Sequence, residues 1–156
     1  MKQFNKDYAL GKKSELDSLK DIEQILDTKL TQSENQFDHF DYESDYIFVE
    51  LKTRPNIVFK DDKFYCTSRN GNTSLIETLW FDKIKLNHAK KNKTKDNNFY
   101  VFWKLQNCYC YYNIDIDAEE DYYVRHQYAD RGKGYKQHTD VVYVFTDTMT
   151  IIPFKN

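Results

Sequence analysis

Between residues 37 and 54 the chain reads FDHFDYESDYIFVELKTR, an aromatic and β-branched run broken by Glu50 and Lys52. With the period of two that a strand imposes, Tyr46, Phe48, Glu50 and Lys52 share one face, and Ile47, Val49 and Leu51 share the other. A fold built on this strand must bury its apolar face and also accommodate an acid and a lysine pointing the same way. Burying charge without a partner is costly, so the arrangement calls for partners or a function.

The polar cluster from Tyr42 to Asp45 reads as a hairpin turn, with residues 37–41 as the partner strand. A two- or four-residue loop puts Asp41 on the face of Glu50, and a loop at Asp45-Tyr46 sets the two directly opposite, with Cβ atoms about 4.5–5.5 Å apart. A three-residue loop brings Asp38 opposite Glu50 instead, and the sequence leaves both registers open. Acid-x-Lys spacing also occurs at Asp27-x-Lys29, in a predicted helix end, and at Asp61-x-Lys63, in a predicted turn. Charges there are solvated, and only the Glu50 copy interrupts a strand core behind a facing acid. The plain alternative is an ion-paired or solvated strand face.

A first helix is predicted over residues 14–30, with Ser14 as its N-cap and Leu16, Leu19, Leu26 and Leu30 as its apolar stripe. Glu23 stands where that stripe calls for leucine. It is either an accessory carboxylate at a site or a border residue that snorkels to a lysine.

Further strands are expected near residues 56–60 and 63–67 around an Asp61-Asp62 turn. Ser74 and Glu77 form a capping-box pattern that predicts a second helix from about 74 to about 91, closed by a polar loop at 92–98. Strands are then expected near 98–104, 108–116, 121–126, 140–146 and 149–153, with a glycine-containing loop at 130–137. This order predicts one α/β domain with a mixed central sheet flanked by helices.

The helix glutamate, then Asp41-x8-Glu50-x-Lys52 on a hairpin, then a helix, resembles the PD-(D/E)xK, or restriction-endonuclease-like, nuclease superfamily. Within it the chain is similar to small phage- and giant-virus-type proteins, through Phe40-Asp41-Tyr42 and Glu50-Leu51-Lys52-Thr53-Arg54. The later landmarks of that group correspond to Thr73-Ser74-Leu75-Ile76, Lys83, the aromatic strand from Phe99 to Lys104, and Asp130-Arg131-Gly132. Phe40 stands where the superfamily's name has proline. The resemblance implies a restriction-endonuclease-like fold and a metal-dependent phosphodiesterase, a DNA endonuclease. Asp41 and Glu50 would hold Mg²⁺ or Mn²⁺, since Mg²⁺ takes one or two carboxylates and completes its shell with waters and phosphate oxygens. Lys52 would orient the attacking water and stabilise the charge developing on phosphate, with Glu23 as the accessory acid. The alternative is a nucleic-acid-binding or scaffold protein that keeps the fold without cleaving.

A net charge of −2 argues against bulk polyanion binding, yet lysines concentrate locally at Lys83, Lys85, Lys90, Lys91, Lys93 and Lys95. With Arg54, and with Arg131, Lys133 and Lys136 in the glycine-containing segment, they suit phosphate contacts. The bland account of the lysine run is a solvated helix end favoured by the helix dipole. The expected partner is nucleic acid, DNA in preference to RNA, with no membrane; homodimerisation stays open. A mean hydropathy of −0.85 and the lack of a long apolar run exclude a membrane-spanning helix. The polar start and three cysteines, one necessarily unpaired in any disulfide scheme, predict a cytoplasmic or nuclear location, the host-cell interior if the chain is viral. With 40% hydrophobic and 17% aromatic residues in 156, aromatic rings must fill much of the core.

Overall fold

The computed structural model describes residues 2–32, 40–92, 98–114, 119–130 and 136–155. Helix α1 spans Lys2–Leu26, so Ser14 lies in its interior and does not cap it. No proline interrupts this stretch, and Gly11 alone is too weak a breaker to stop a helix. The helix ends earlier than the leucine spacing predicts. Asp27 turns left-handed at φ 50°, Thr28 N–H donates to the Glu23 carbonyl and Asp27 N–H to that of Gln24, which closes a Schellman-type cap. Of the predicted stripe, Leu30 is buried and Leu19 and Leu26 pack against the core, but Leu16 is 60% exposed and the fully buried helix positions are Ser18 and Ile22.

Strands β1 (Thr31–Gln32), β2 (Tyr42–Glu43) and β3 (Ile47–Thr53) follow. β2 and β3 form an antiparallel hairpin in which Tyr42 pairs with Val49 and Glu43 with Phe48. The partner strand therefore lies after Asp41, and residues 37–39 of the predicted strand, Asp38 included, fall outside the described residues. β4 (Ile57–Lys60) and β5 (Lys63–Thr67) make the expected hairpin, with Asp61 and Asp62 both at positive φ in a tight turn.

The second helix begins later than the capping-box pattern predicts. Residues from Thr73 form β6 (Thr73–Ile76) and β7 (Thr78–Asp82), and only then does α2 (Lys83–Asn92) start. Ser74 pairs with Cys66 inside a ladder and caps nothing. The alternating Thr-Leu-Trp-Phe-Asp segment is a better strand than helix, and its backbone is taken up by a partner strand. β8 (Asn98–Lys104), β9 (Cys108–Ile114), β10 (Tyr122–Asp130), β11 (Lys136–Phe145) and β12 (Thr150–Pro153) complete the order. β10 and β11 extend to Asp130 and from Lys136, which shortens the predicted 130–137 loop from both ends.

The central sheet has the order β1-β2-β3-β8-β9-β12 and is mixed, because β3 and β8 run parallel while their other neighbours are antiparallel. β8 is buried on both faces, which explains its nearly continuous apolar sequence FYVFW. Val49, Leu51, Phe102 and Tyr109 pack under Ile22 of α1 on one face. Phe99, Val101, Trp103, Cys108 and Cys110 pack on the other with Leu86 and Ala89 of α2. Leu79, Phe81, Val142 and Val144 join this second layer from a three-stranded sheet ordered β10-β11-β7. The indole N–H of Trp103 donates to the Trp80 carbonyl at 3.1 Å and ties the two sheets together. The result is an α/β domain with a mixed central sheet flanked by helices. Among the described residues no helix is long and apolar enough to cross a membrane.

Candidate active site

Glu50 sits in the middle of β3, held between β2 and β8, with Val101 beside it on the parallel neighbour. It is 1% exposed. Lys52, one pleat further on the same face, places its Nζ 3.3 Å from Glu50 Oε2, and Lys85 Nζ approaches Oε1 at 3.7 Å from α2. Oε1 is buried and makes no hydrogen bond.

Asp41 reaches the same point from the hairpin. The β2–β3 pairing has the register that the Asp45-Tyr46 loop alternative requires and ends at Tyr42 and Val49, with Asp41 and Glu50 next along their strands. Its N–H donates to the Val49 carbonyl at 3.0 Å. The chain then bends away, and Asp41 Oδ2 accepts the N–H of Leu51 at 2.7 Å in place of a further backbone carbonyl. A ladder bond is thereby replaced by a carboxylate bond, and this fixes Asp41 at the edge of β3.

The two carboxyls lie close enough for each to affect the other's protonation. Burial raises the pKa of Asp41; the neighbouring Glu50 opposes this, and the charge of Glu15 adds to it. Burial pushes Glu50 up to about 8, with Lys52 pulling it down and the Asp41 charge pushing it further up. Burial also works against the charge of Lys52, but Glu50, Asp82 and Asp41 outweigh it and hold its pKa above the ordinary lysine value. Lys52 is therefore a fixed cation at neutral pH and not a proton acceptor.

The helix residue that approaches the pair is Glu15, not Glu23. Tyr42, fully buried, donates its hydroxyl to the Glu15 carbonyl and pins α1 over the hairpin. Glu23 lies two turns on, about 12 Å along the helix, where its carboxylate accepts the Leu30 N–H at 2.9 Å and braces the turn after α1. It supports local structure instead of completing the expected carboxylate set. Arg54 donates to the Thr53 carbonyl and shares the neighbourhood of Asp82 with Lys52. Lys83 is half-buried at the start of α2, whereas Lys90 and Lys91 are exposed in its last turn. Lys93, Arg131 and Lys133 lie outside the described residues.

Glu15, Asp82 and Lys85 were not among the predicted catalytic residues. A helix phase set by Ser18 and Ile22 would have brought Glu15 into line, and reading TLWFD as a strand would have placed Asp82 opposite the buried Phe81 face. Nothing in the lysine run marks Lys85 as the one that turns inward. Among the described residues no three His, Cys, Asp or Glu side chains are grouped so as to hold a metal ion. Asp41 and Glu50 are thus a pair and not a prebuilt cage. The donor chemistry still fits a hard divalent cation, because two converging carboxyls, one with a buried oxygen lacking a hydrogen bond, match the protein share of a Mg²⁺ shell. No protein-family model, curated protein or solved structure matches this chain.

The raised pKa of Glu50 makes a stability prediction. A carboxyl whose folded pKa is raised stabilises the fold below its unfolded value, and that contribution is lost as pH rises through the folded one. For Glu50 the window runs from its unperturbed 4.5 to about 8, below the range in which Lys52 titrates. In EDTA, wild-type melting temperature should fall across this window relative to Glu50→Gln, which carries no proton to lose. Thermal melts of both proteins at pH 5, 7 and 9 check this, and parallel curves would mean that the carboxyl is not held protonated.

Proposed function

We propose that this chain is a metal-dependent nuclease that hydrolyses phosphodiester bonds, acting as an endonuclease on DNA in preference to RNA, with a site of the restriction-endonuclease-like kind. The observation that carries the reading is the buried Glu50, set beside Asp41 and lying 3.3 Å from Lys52. Asp41 and Glu50 would hold Mg²⁺ or Mn²⁺, which when bound supplies charge neutralisation at the scissile phosphate and lowers the pKa of a water. Asp41 is oriented for this by the Leu51 N–H, which occupies Oδ2 and fixes the carboxylate plane. Glu50 is oriented by two lysines, so loss of its proton leaves a carboxylate already flanked by cations. Lys52, partly exposed at the mouth of the site, can hold a phosphate oxygen or the attacking water and offset the negative charge that grows in the transition state. Hydrolysis would be direct, since no Ser or Cys is placed as a nucleophile by the motif.

A second reading, a nucleic-acid-binding protein that does not cleave, is favoured by the same lysines, which balance Glu50 without any metal. Incubating the purified protein with single-stranded, duplex and branched DNA and with RNA, with Mg²⁺, with Mn²⁺ or with EDTA, separates the two. Cleavage products only in the metal lanes are the expected outcome, and intact substrates throughout favour the second reading.

The exposed Lys90 and Lys91 are assigned to the nucleic-acid backbone, because lysines at a helix end lack the geometry for base readout. Neutralising both should weaken binding to unrelated duplexes by similar factors and flatten the log–log salt dependence by roughly 0.9 units per lost phosphate contact. An unchanged slope would return them to the solvated end of α2, where the helix dipole alone accounts for them.

A further inference from the structure

We propose that the outer face of the β7–β11–β10 sheet is a stacking platform for the unpaired bases of a single-stranded nucleic acid, leading into the Asp41–Glu50 site. The proposal rests on the nucleic-acid reading of that site and names its substrate as one with an unpaired strand. Trp80, Tyr143 and Tyr123 stand in one row across the three strands, each paired with the next in the ladder. The Tyr123 and Tyr143 rings are stacked with centroids 5.1 Å apart and 11° between planes, and Tyr143 lies 6.2 Å from Trp80. Arg125 holds its guanidinium over Tyr123, 5.4 Å from the ring centroid.

The other face of these strands already supplies the core through Leu79, Phe81, Val142 and Val144; Tyr123 and Tyr143 belong to neither core cluster, and Trp80 anchors the row where it packs, half-buried, against the core. Cross-strand aromatic pairing explains one such pair, but not a row spanning three strands with a cation on its end. Rings backed by arginine are what binds bases in single strands, because every base has a stacking face and its phosphate needs a cation. Further cations lie round the edge of β10: Lys83 and Lys90 of α2 line a groove with Leu86, Tyr122, Tyr123 and Val124.

The row is also continuous with the candidate site. Asp82 shares the strand face of Trp80, two residues and about 7 Å further along β7. It acts electrostatically on Lys52 and Arg54. A strand stacked on Tyr123, Tyr143 and Trp80 would thus pass its backbone toward Lys52. Duplex bases are stacked on one another and leave no face for these rings.

The test is fluorescence anisotropy in EDTA with labelled 12-nucleotide single-stranded DNA, the same sequence as RNA, and the corresponding duplex, on wild type, Tyr123→Ala, Tyr143→Ala and Tyr143→Phe. The expected result is tighter binding of at least one single strand than of the duplex. Each alanine variant should weaken single-strand binding about tenfold while leaving the duplex unchanged, and Tyr143→Phe, which keeps the ring, should bind as wild type. Equal losses on single strand and duplex, or no loss on either, would overturn the platform. So would a self-association that the alanine variants abolish with oligonucleotide affinity intact, which would assign the face to a second copy of the chain. Adding Mg²⁺ to the same samples separates this proposal from the nuclease reading. Ring-dependent binding without hydrolysis keeps the platform and removes the nuclease, while hydrolysis of single strands at wild-type rate by both alanine variants does the reverse.

Discussion

Asp41→Asn and Glu50→Gln should each lower Mg²⁺-dependent cleavage by about a hundredfold or more, the scale of losing several kcal/mol of transition-state stabilisation. Both substitutions preserve shape and remove one negative oxygen. Asp41→Asn keeps a carbonyl that can accept the Leu51 N–H, and Glu50→Gln fills the same buried volume between Val101 and the two lysines. Loss of activity with a retained melting temperature therefore points to the chemistry and not to collapse of the hairpin. Initial rates on a labelled substrate, with melts beside them, provide the comparison. Full activity in both variants would remove the pair from the mechanism.

Lys52→Ala should be as damaging to turnover but should leave nucleic-acid binding largely intact. Its Nζ touches Glu50 and is acted on by Asp82 and Asp41, so the side chain belongs to the site's charge balance, while Lys90 and Lys91, assigned to backbone binding, lie in the exposed last turn of α2. Removing it leaves Lys85 as the remaining cation on Glu50. Rate loss of about a hundredfold with binding within a few-fold of wild type is expected. Lys52→Arg should recover part of the rate if charge alone matters, and a wild-type rate for Lys52→Ala would reduce the residue to a partner for Glu50.

Local patterning was a good guide wherever the decisive information was also local. The alternation in IFVELKT, the apolar run in FYVFW and the Asp61-Asp62 turn each appear in the fold at the expected places. The hairpin register was legible as one of two alternatives, because a turn fixes its strands within a few residues. Patterning misled where tertiary partners decided. Ser74 and Glu77 have the spacing of a helix cap, but β5 and β11 were waiting to pair with that segment. Leu19, Leu26 and Leu30 of the predicted stripe do pack on the core, but the buried side is centred on Ser18 and Ile22, so Glu15 and not Glu23 approaches the carboxyl pair. Lys85 reaches Glu50 only because a parallel crossover lays α2 on that face of the sheet. The row of Trp80, Tyr143 and Tyr123 was illegible for the same reason, since it exists only once three distant strands are side by side.

On the proposed reading, the proton held by the buried Glu50 beside Asp41 stands where a divalent cation would bind. Mn²⁺ titrated calorimetrically into wild type and Glu50→Gln between pH 6 and pH 9 measures this directly. Because ligation must expel the proton, the predicted result is one site in wild type whose affinity rises about tenfold per pH unit and levels off near pH 8, with Glu50→Gln binding weakly at every pH. Wild-type affinity that is flat with pH and matched by Glu50→Gln would contradict it, and would leave the carboxyl pair as a structural element neutralised by Lys52 and Lys85.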